Sequence, residues 1–471
     1  MERMSTLDAE FLHLEDGIGH MHIGVACVFG DPPPSFDEVA AMISAKLHLI
    51  PRYRQRVRSV PLELGRPVWV DDPHFTLEYH LRHTALPAPG DDATFCRLMG
   101  RIMSQPLDRN RPLWETWLVE GLEGGQWALV FKIHHCMVDG IAGIELLRVV
   151  LDLEADTPVT VSKSWEPQPE PANMTKVLDA WGGLASDVLT TARCLPRAIT
   201  QPKRTVRSAV ANVRGLARFA GDLAATPPLS IEGSIGPHRA WAHSSASLDD
   251  VKRIRSAFGG TINDVVLAAV SGGYRELLLS RGEDADRARV RSLVPVSTRH
   301  DDAQGVPDNR VSTLLYDLPV QIADPVERLR IVHDQMSELK ESHMAEAGEM
   351  VIVLGNLAPP MVVGPLSRMT IRALQRLPQR SINTVTTNVP GPQFPLYCLG
   401  HEMLENRPFV PISHGVRVST AILSYNGRLY FGITGDYATA PDVSVLAVAA
   451  SAGIEQLRAC GLTRLGEARS R

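Results

Sequence analysis

The sequence His134-His135-Cys136-Met137-Val138-Asp139-Gly140 lies between two segments of different character, and it decides the fold. Residues 126–133 (QWALVFKI) are apolar, β-branched and aromatic over the length of a strand. Residues 141–153 (IAGIELLRVVLDL) have the pattern of a helix. The two histidines are therefore predicted where a strand ends and a turn leads into a helix, a position that can expose a side chain to a cleft.

A histidine at such a turn suits general-base catalysis, because its pKa lets the imidazole accept a proton near neutral pH. Neighbouring side chains of a strand point to opposite faces, so only one of His134 and His135 should enter a given cleft. This weakens a two-histidine metal site, and no H-x-x-x-H or H-E-x-x-H pattern is present. We predict no metal site. A buried structural histidine pair is the alternative to catalysis.

The residues that follow the histidines also admit two interpretations. Asp139 could brace the turn or cap the next helix, and Gly140 can adopt an unusual backbone angle. Cys136 is a candidate nucleophile, but adjacent strand residues face opposite sides, so we interpret it as a small core thiol.

The remainder of the chain indicates a globular protein of two domains. At 471 residues it is too long for one hydrophobic core, and 44% hydrophobic with 21% charged residues is typical of a folded chain. Lys plus Arg (48) against Asp plus Glu (53) gives a net charge of −5, which argues against nucleic-acid binding. The six cysteines form no C-x-x-C pair, as expected of reduced thiols in a cytosolic protein.

Targeting signals are predicted to be absent. The N-terminus carries acids at once and has no apolar segment of the kind found in a signal peptide. The best candidate for a membrane span, residues 351–366, is interrupted by Asn356 and Pro359-Pro360, well short of the ~20 residues that a span needs. We therefore predict a cytoplasmic protein with no transmembrane helix.

Strand and helix signals alternate in both halves of the chain, which predicts mixed α/β layers around a sheet in each. The predicted strands are 22–29, 126–133, 290–296, 312–318, 384–388, 416–425 and 428–437, and the predicted helices are 36–49, 141–153, 248–258 and 263–280. A Pro-rich stretch at 158–171 is typical of an exposed linker. We predict domains at 1–157 and 235–471, joined by a helical crossover at 158–234.

The crossover contains a predicted basic amphipathic helix. One face of this helix has valines and alanines, and the other carries Arg204, Arg207, Arg214 and Arg218. Such a helix can lie on an anionic membrane surface, so the four arginines are predicted membrane contacts. The alternative is an ordinary surface helix that packs its apolar face on its own domain.

The motif HHxxxDG is the signature of the CoA-dependent acyltransferase superfamily, and the surrounding sequence resembles one branch of it. That branch is the bacterial wax ester synthase/diacylglycerol acyltransferases. The segments similar to its motifs, in family order, are 7–12 (LDAEFL), 21–24 (MHIG), 111–115 (RPLWE), 236–239 (GPHR), 260–268 (GTINDVVLA), 294–299 (VPVSTR) and 387–392 (TNVPGP). The resemblance thus covers most of the chain.

The resemblance implies two halves like chloramphenicol acetyltransferase, with the motif at their interface. It implies catalytic roles for His134 and His135, with His135 as the general base. Asp139 would be structural and paired with Arg299, and Gly140 would permit the turn. Asn263 would stabilise the oxyanion, or serve only as the N-cap of its helix, or do both.

The resemblance also implies the substrates. Acyl-CoA would be the co-substrate with no other cofactor, and the acceptor would be diacylglycerol or a long-chain alcohol, reached at a membrane or lipid-inclusion surface. The candidate substrate-binding residues are Trp114, Asp264, Thr386, Thr387 and Asn388, although the Pro-Leu-Trp motif is also interpreted as packing that shapes the pocket. Alternatives are an acyltransferase of the same fold with another acceptor, such as a carrier-bound amine, and a silent lipid-surface binding protein.

Overall fold

The computed structural model describes residues 1–30, 32–61, 64–137, 147, 149–159, 165–179, 181–182, 228–297, 311–341 and 382–469. The predicted site residues that lie outside these ranges are Asp139, Gly140, Arg299, Arg204, Arg207, Arg214 and Arg218. The candidate membrane span at 351–366 and most of the helix predicted at 141–153 lie outside them too.

Strands and helices are interspersed in both halves of the described chain. The strands are β1 (Glu2–Arg3), β2 (His22–Phe29), β3 (Gln55–Arg58), β4 (Val68–Asp71), β5 (Leu81–Ala85), β6 (Trp114–Glu120), β7 (Trp127–His134), β8 (Glu232–Gly233), β9 (Arg239–Ser247), β10 (Val290–Ser297), β11 (Val311–Leu318), β12 (Thr384–Val389), β13 (Tyr397–Cys398), β14 (His401–Phe409), β15 (Gly415–Val416), β16 (Val418–Tyr425) and β17 (Arg428–Asp436). The helices are α1 (Thr6–Leu14), α2 (Phe36–Lys46), α3 (Leu77–His80), α4 (Asp92–Ser104), α5 (Leu248–Phe258), α6 (Ile262–Ser280), α7 (Pro325–Glu341) and α8 (Val443–Arg469).

The first half is built on a six-stranded sheet of order β13-β14-β2-β7-β6-β5. Its central strand β7 is buried along its whole length and pairs antiparallel with β2, so that His134 lies opposite His22. The apolar residues of β7, interrupted before His134 only by Lys132, are what a strand covered on both faces requires. The histidine motif thus begins at the C-terminal end of this central strand.

Two strands of the first sheet come from the second half of the sequence. β14 pairs antiparallel with β2, from Phe409 opposite Gly24 to Met403 opposite Phe29, and β13 pairs with β14. The sequence did not predict β14, because its first half alternates irregularly and contains a bulge between Met403 and Glu405. The two halves therefore share a sheet, and not only an interface.

The second half is built on another six-stranded sheet, of order β11-β10-β12-β16-β17-β9. Helices α5, α6 and α8 pack their apolar side chains into one core with this sheet. β12 pairs in parallel with β10 at Thr384 and Val385 only, whereas its pairing with β16 continues to Val389, so the C-terminal end of β12 is hydrogen-bonded on the β16 side. The predicted strands and helices of this half are confirmed to within two or three residues at their ends.

Helix α8 contains the segment Val443–Leu462, which by length and composition could cross a membrane, with a mean hydropathy of 1.3. In the structure Leu446, Ala450 and Ile454 on this helix are buried in the core of the second half. Its backbone also approaches α6 closely, because a Cβ at Gly273 would lie 3.0 Å from the Leu446 carbonyl oxygen. The segment is packed as a core helix of the second half.

Helix α4 of the first half packs directly on β9 of the second. A Cβ at Gly100 would lie 2.4 Å from the Arg239 carbonyl oxygen, so only glycine allows this approach. The backbone N–H of Arg239 donates to Ser104 Oγ at 2.9 Å. At the other end of the helix, Asp92 Oδ1 lies 2.7 Å from His243 Nε2 on β9. These contacts fix the two halves against each other.

Candidate active site

The turn that carries the two histidines is anchored through its backbone. The N–H of His134 donates to the Leu113 carbonyl at 2.9 Å, and the N–H of His135 donates to the Met21 carbonyl at 2.8 Å. Within the turn, the N–H of Met137 donates to the His134 carbonyl at 2.9 Å. Two segments that are distant in sequence, at Met21 and Leu113, thus hold the turn in place, and one hydrogen bond within the turn closes it.

The two imidazoles make different contacts, as expected of neighbouring residues at the end of a strand. The ring of His134 is buried, and its Nδ1 accepts from the backbone N–H of Cys136 at 3.1 Å. The ring of His135 is only partly buried and stacks on Phe11 of α1, with ring centroids 3.9 Å apart. His135 is therefore the histidine of the pair that retains access to solvent.

A buried acid that the sequence analysis missed lies next to His134. The Glu15 carboxylate is 3.5 Å from nitrogen atoms of His20, His22 and His134, and it accepts from Arg109. Burial raises the pKa of the Glu15 carboxyl, but its contacts with the three histidines lower it much further, well below its usual range. Glu15 is therefore ionised. The spacing His20-x-His22 beside an acid was the only signal for this cluster in the sequence.

Cys136 is buried in an apolar cluster that also contains Leu12, Trp69 and Leu113. Burial raises the pKa of its thiol well above the usual value, so the thiolate needed for nucleophilic attack is not formed near neutral pH. This environment agrees with its interpretation as a core thiol.

We expect the variant Cys136→Ala to keep kcat within about threefold of the wild type, because no step needs the thiol. The measurement is the initial rate of CoA release from palmitoyl-CoA, with circular dichroism to check folding. A loss of kcat of more than about 100-fold in a folded variant would instead indicate an acyl-cysteine intermediate.

Trp114, a predicted substrate-binding residue, is enclosed by protein. Its Nε1 donates to the Tyr53 carbonyl at 2.8 Å, and its ring lies between those of Tyr53 and His80, with centroids 4.4 and 4.6 Å away. Burial lowers the pKa of His80 to about 4, so this stack is uncharged. The contacts support the interpretation of Trp114 as packing. A small pocket beside it is lined mostly by apolar side chains, together with Lys46 and Thr116.

Asn263 is not the N-cap of its helix, so the interpretation of this residue as a helix cap is wrong. The N-cap of α6 is Thr261, whose side chain accepts from the N–H of Asp264 at 3.2 Å, while Asp264 Oδ2 accepts from the N–H of Thr261 at 2.8 Å. Because Thr261 and Asp264 form this reciprocal capping box, the side chain of Asn263, which directly precedes Asp264, is not needed for capping and is available for another role. Asp264 itself is buried, with His333 Nδ1 3.1 Å from its carboxylate.

The side chain of Asn263 is held by Asn388 at the C-terminal end of β12. Asn388 Nδ2 donates to Asn263 Oδ1 at 3.0 Å. With Oδ1 engaged in this bond, the amide nitrogen of Asn263 is the part of the side chain that can donate to a further acceptor. The structure thus brings together two of the residues that the sequence predicted.

Side chains alternate between the two faces of β12, so the predicted residues Thr386 and Thr387 lie on opposite faces of this strand. Thr386 is buried, with Ser292 Oγ donating to its Oγ1 at 2.9 Å, on the same face as Asn388. Thr387 is partly exposed on the opposite face. Roles for Thr386, Thr387 and Asp264 in substrate binding stay predictions.

The family model of the wax ester synthase/diacylglycerol acyltransferase catalytic domain matches residues 4–266. The model of the C-terminal domain of the same family matches residues 308–458. The chain belongs to this family. A Mycobacterium tuberculosis protein (strain H37Rv) named as a probable diacylglycerol O-acyltransferase is 37% identical over 95% of this chain and 94% of its own length.

Solved structures agree with this assignment to the wax ester synthase/diacylglycerol acyltransferase family. The wax ester synthase/diacylglycerol acyltransferase from Marinobacter aquaeolei VT8 superposes with a TM-score of 0.66 and 25% identity, covering 98% of this chain and 99% of that one. The first condensation domain of the calcium-dependent antibiotic synthetase superposes with a TM-score of 0.58 at 16% identity, over 98% of this chain and 96% of that one, which shows a shared fold alone. The predicted family, fold and enzyme class, an O-acyltransferase, are confirmed.

Proposed function

We propose that this acyltransferase moves a long-chain acyl group from acyl-CoA directly to the hydroxyl of diacylglycerol, with long-chain alcohols as a second class of acceptor. The observation that carries the mechanism is the placement of His135, partly exposed on an anchored turn at the end of β7. The names of the mycobacterial relative and of the Marinobacter enzyme support the acceptor. Acyl-CoA as donor is supported by a condensation domain of the same fold, solved with C8-CoA, although at 14% identity.

In the proposed step, His135 takes the proton of the acceptor hydroxyl as its oxygen attacks the thioester carbonyl. The new C–O bond forms and the carbonyl oxygen carries the negative charge of a tetrahedral intermediate. When the C–S bond breaks, the sulfur of CoA leaves with its electron pair and receives the proton from the His135 imidazolium. The products are an ester, triacylglycerol for diacylglycerol, and CoA with a free thiol.

Asn263 is the proposed donor to the oxyanion. Asn388 occupies its Oδ1, so the amide presents its N–H side to the acceptor that must be stabilised. A donor fixed in advance is worth more than a mobile one, because no side chain has to be reoriented as the charge develops. We propose Asn388 as the residue that fixes this orientation.

Asp139 and Arg299, outside the described residues, stay proposed as an ion pair that holds the turn after His135. Removal of one partner leaves the other charge uncompensated, so Asp139→Ala should reduce folding stability as well as rate. An acyltransferase with an amine acceptor and a silent binding protein remain the competing functions.

Thiol release distinguishes these functions. Purified protein is mixed with palmitoyl-CoA and either dioleoylglycerol, hexadecanol or an amine acceptor, and free CoA is followed with a thiol reagent. Release that depends on dioleoylglycerol, with triacylglycerol as product, supports the proposal. Release only with the amine, or none with any acceptor while the protein still binds lipid, would favour the corresponding alternative.

Peripheral contact with a lipid surface is a further part of the proposal. Just before the basic segment of the crossover, the side chains of Met174, Leu178 and Trp181 are 68%, 66% and 50% exposed. Their spacing places them on one side of a helical segment, as in helices that insert an apolar face between lipid headgroups. The four arginines predicted from the sequence would add attraction to anionic lipid.

Changing Met174, Leu178 and Trp181 together to serine should lower the affinity for anionic phosphatidylglycerol vesicles by about tenfold or more, because their apolar area no longer leaves water. Vesicle co-sedimentation measures this, and Leu404→Ser, which removes an exposed leucine elsewhere, is the control. Unchanged sedimentation of the triple variant, and of a variant with Arg204, Arg207, Arg214 and Arg218 reversed to glutamate, would count against lipid docking.

A further inference from the structure

A buried carboxylate, Glu15, lies against the histidine turn, and the mechanism above does not use it. Glu15 is the C-cap residue of α1, and 8% of its side chain is exposed. The cost of burying an ionised group is offset only where charges and hydrogen bonds compensate it. The groups that contact the Glu15 carboxylate therefore indicate which part of the site its charge stabilises.

One side of the Glu15 carboxylate is fixed by Arg109. Nε and Nη2 of Arg109 donate to Glu15 Oε2 at 3.0 and 2.5 Å, and Nη2 also donates to the Leu12 carbonyl at 2.9 Å, which has no partner within the helix. Arg109 thus locks the carboxylate and the end of α1 as one unit. The same helix carries Phe11, one turn earlier, whose ring stacks on His135.

The other contacts of the carboxylate are with histidines, and for His134 the tautomer can be inferred. Nδ1 of His134 accepts from the N–H of Cys136, so in the neutral ring the proton is on Nε2. That nitrogen lies 3.5 Å from Glu15 Oε2. The negative charge favours the tautomer with a proton on Nε2, and in a buried site this attraction is only weakly screened.

We propose that Glu15 is a positioning residue for acyl transfer, whose carboxylate keeps the His134 proton on Nε2 and thereby keeps Nδ1 as the acceptor for Cys136. This hydrogen bond closes the turn that presents His135. Through Phe11, the same helix end also contacts the His135 ring. The inference rests on the proposed function, in which His135 is the general base.

A cation shared by Glu15, His20 and His22 is the competing explanation, since their ligand atoms lie within 4.8 Å of one another. The charges around the cluster disfavour it. The Arg109 guanidinium already neutralises the carboxylate. The buried ammonium of Lys132, which donates to the Ile102 carbonyl, interacts electrostatically with both His22 and Glu15. A divalent ion would have to be buried beside two cations.

The test compares Glu15→Gln with Glu15→Asp. Glutamine keeps the size and loses the charge, whereas aspartate keeps the charge and is one methylene shorter. If the charge positions His134, Glu15→Gln lowers kcat by up to about 100-fold with little change in the KM for palmitoyl-CoA, and Glu15→Asp keeps more activity than Glu15→Gln. A role in packing alone predicts the opposite order of the two variants.

Three further measurements keep the outcomes separate. Nitrogen-15 shifts of labelled histidine should give the Nε2–H tautomer for His134 in the wild type and a mixture in Glu15→Gln. Glu170→Gln, which removes a carboxylate that pairs with Arg56, Arg58 and Lys176 away from the site, should keep wild-type kcat. His135→Ala tests the underlying proposed function independently.

The inference is overturned if His135→Ala is inactive while Glu15→Gln keeps the wild-type kcat. It is equally overturned if His135→Ala is inactive and the kcat of Glu15→Gln is higher than that of Glu15→Asp. It is also overturned if dialysed protein contains one equivalent of zinc that Glu15→Gln loses, since the 3.5 Å separations would then be those of ligands around a metal ion. If His135→Ala itself is fully active, the proposed role of His135 as general base is wrong. The tautomer measurement then decides by itself whether Glu15 keeps the His134 proton on Nε2.

Discussion

Replacing His135 with alanine should lower kcat by about 10²–10⁴-fold, the usual cost of losing a general base. The expected loss is in kcat more than in KM, because the imidazole acts on the acceptor proton in the transition state and contributes little to binding of the acyl chain. His135 is partly exposed, and its backbone N–H is held by Met21, so truncation of the side chain leaves the turn anchored.

The measurement is acceptor-dependent CoA release from palmitoyl-CoA at saturating dioleoylglycerol, with thermal unfolding to show that the variant is folded. The matched control is His83→Ala, a histidine of the same sheet on β5 that is exposed and pairs with Glu120. The control should keep kcat within about threefold. A folded His135→Ala with more than about a third of wild-type kcat would mean that another group takes the proton.

Sequence patterns predicted most of the fold because strand and helix periods report burial locally. β7 and β16 are buried along their whole length and are rich in apolar, β-branched and aromatic residues. α6 has a capping residue, a long apolar pattern and a polar residue at its end. β14 was missed because it is stabilised by pairing with β2, and the paired residues Cys27 and Asn406 are 379 positions apart in sequence. The composition of a segment does not show which distant strand it pairs with.

The candidate site was predictable where a motif carries its own chemistry, and not where the role depends on contacts. His134-His135 could be identified from the sequence, and the polarity of Asn263 could too, but not that Thr261 takes the capping position and Asn388 the amide oxygen. Glu15 was missed for the same reason. A single acid near the N-terminus looks like any surface carboxylate until folding brings Arg109 and His134 to it.

The shared sheet gives these contacts a common origin. β2 carries His22 at one end and pairs with β7 on one side and with β14, from the second half, on the other. The loop before β2 reaches the second half too, where Asp16 pairs with His414 at 2.8 Å. The position of the histidine turn is therefore coupled to the packing of both halves, and changes at either contact should alter the rate.

Replacing Asn263 with alanine should lower kcat by about 10²–10³-fold, or about 2.7–4 kcal/mol of transition-state stabilisation, if its amide donates to the oxyanion. Binding of acyl-CoA before reaction should change less, because the charge on the carbonyl oxygen develops only as the hydroxyl attacks. The effect should be largest in kcat with either acceptor, since both reactions pass through the same tetrahedral oxyanion.

Thr261→Ala separates this role from a helix-capping role. Loss of the N-cap should cost about 0.5–2 kcal/mol of stability, seen as a lower Tm, while kcat of the folded variant stays within severalfold of wild type. Asn263→Ala should show the reverse, with a large loss of kcat and a small change in Tm. If the two variants lost stability and kcat in the same proportion, Asn263 would act only by holding the start of α6, and the oxyanion would have to be stabilised by another donor.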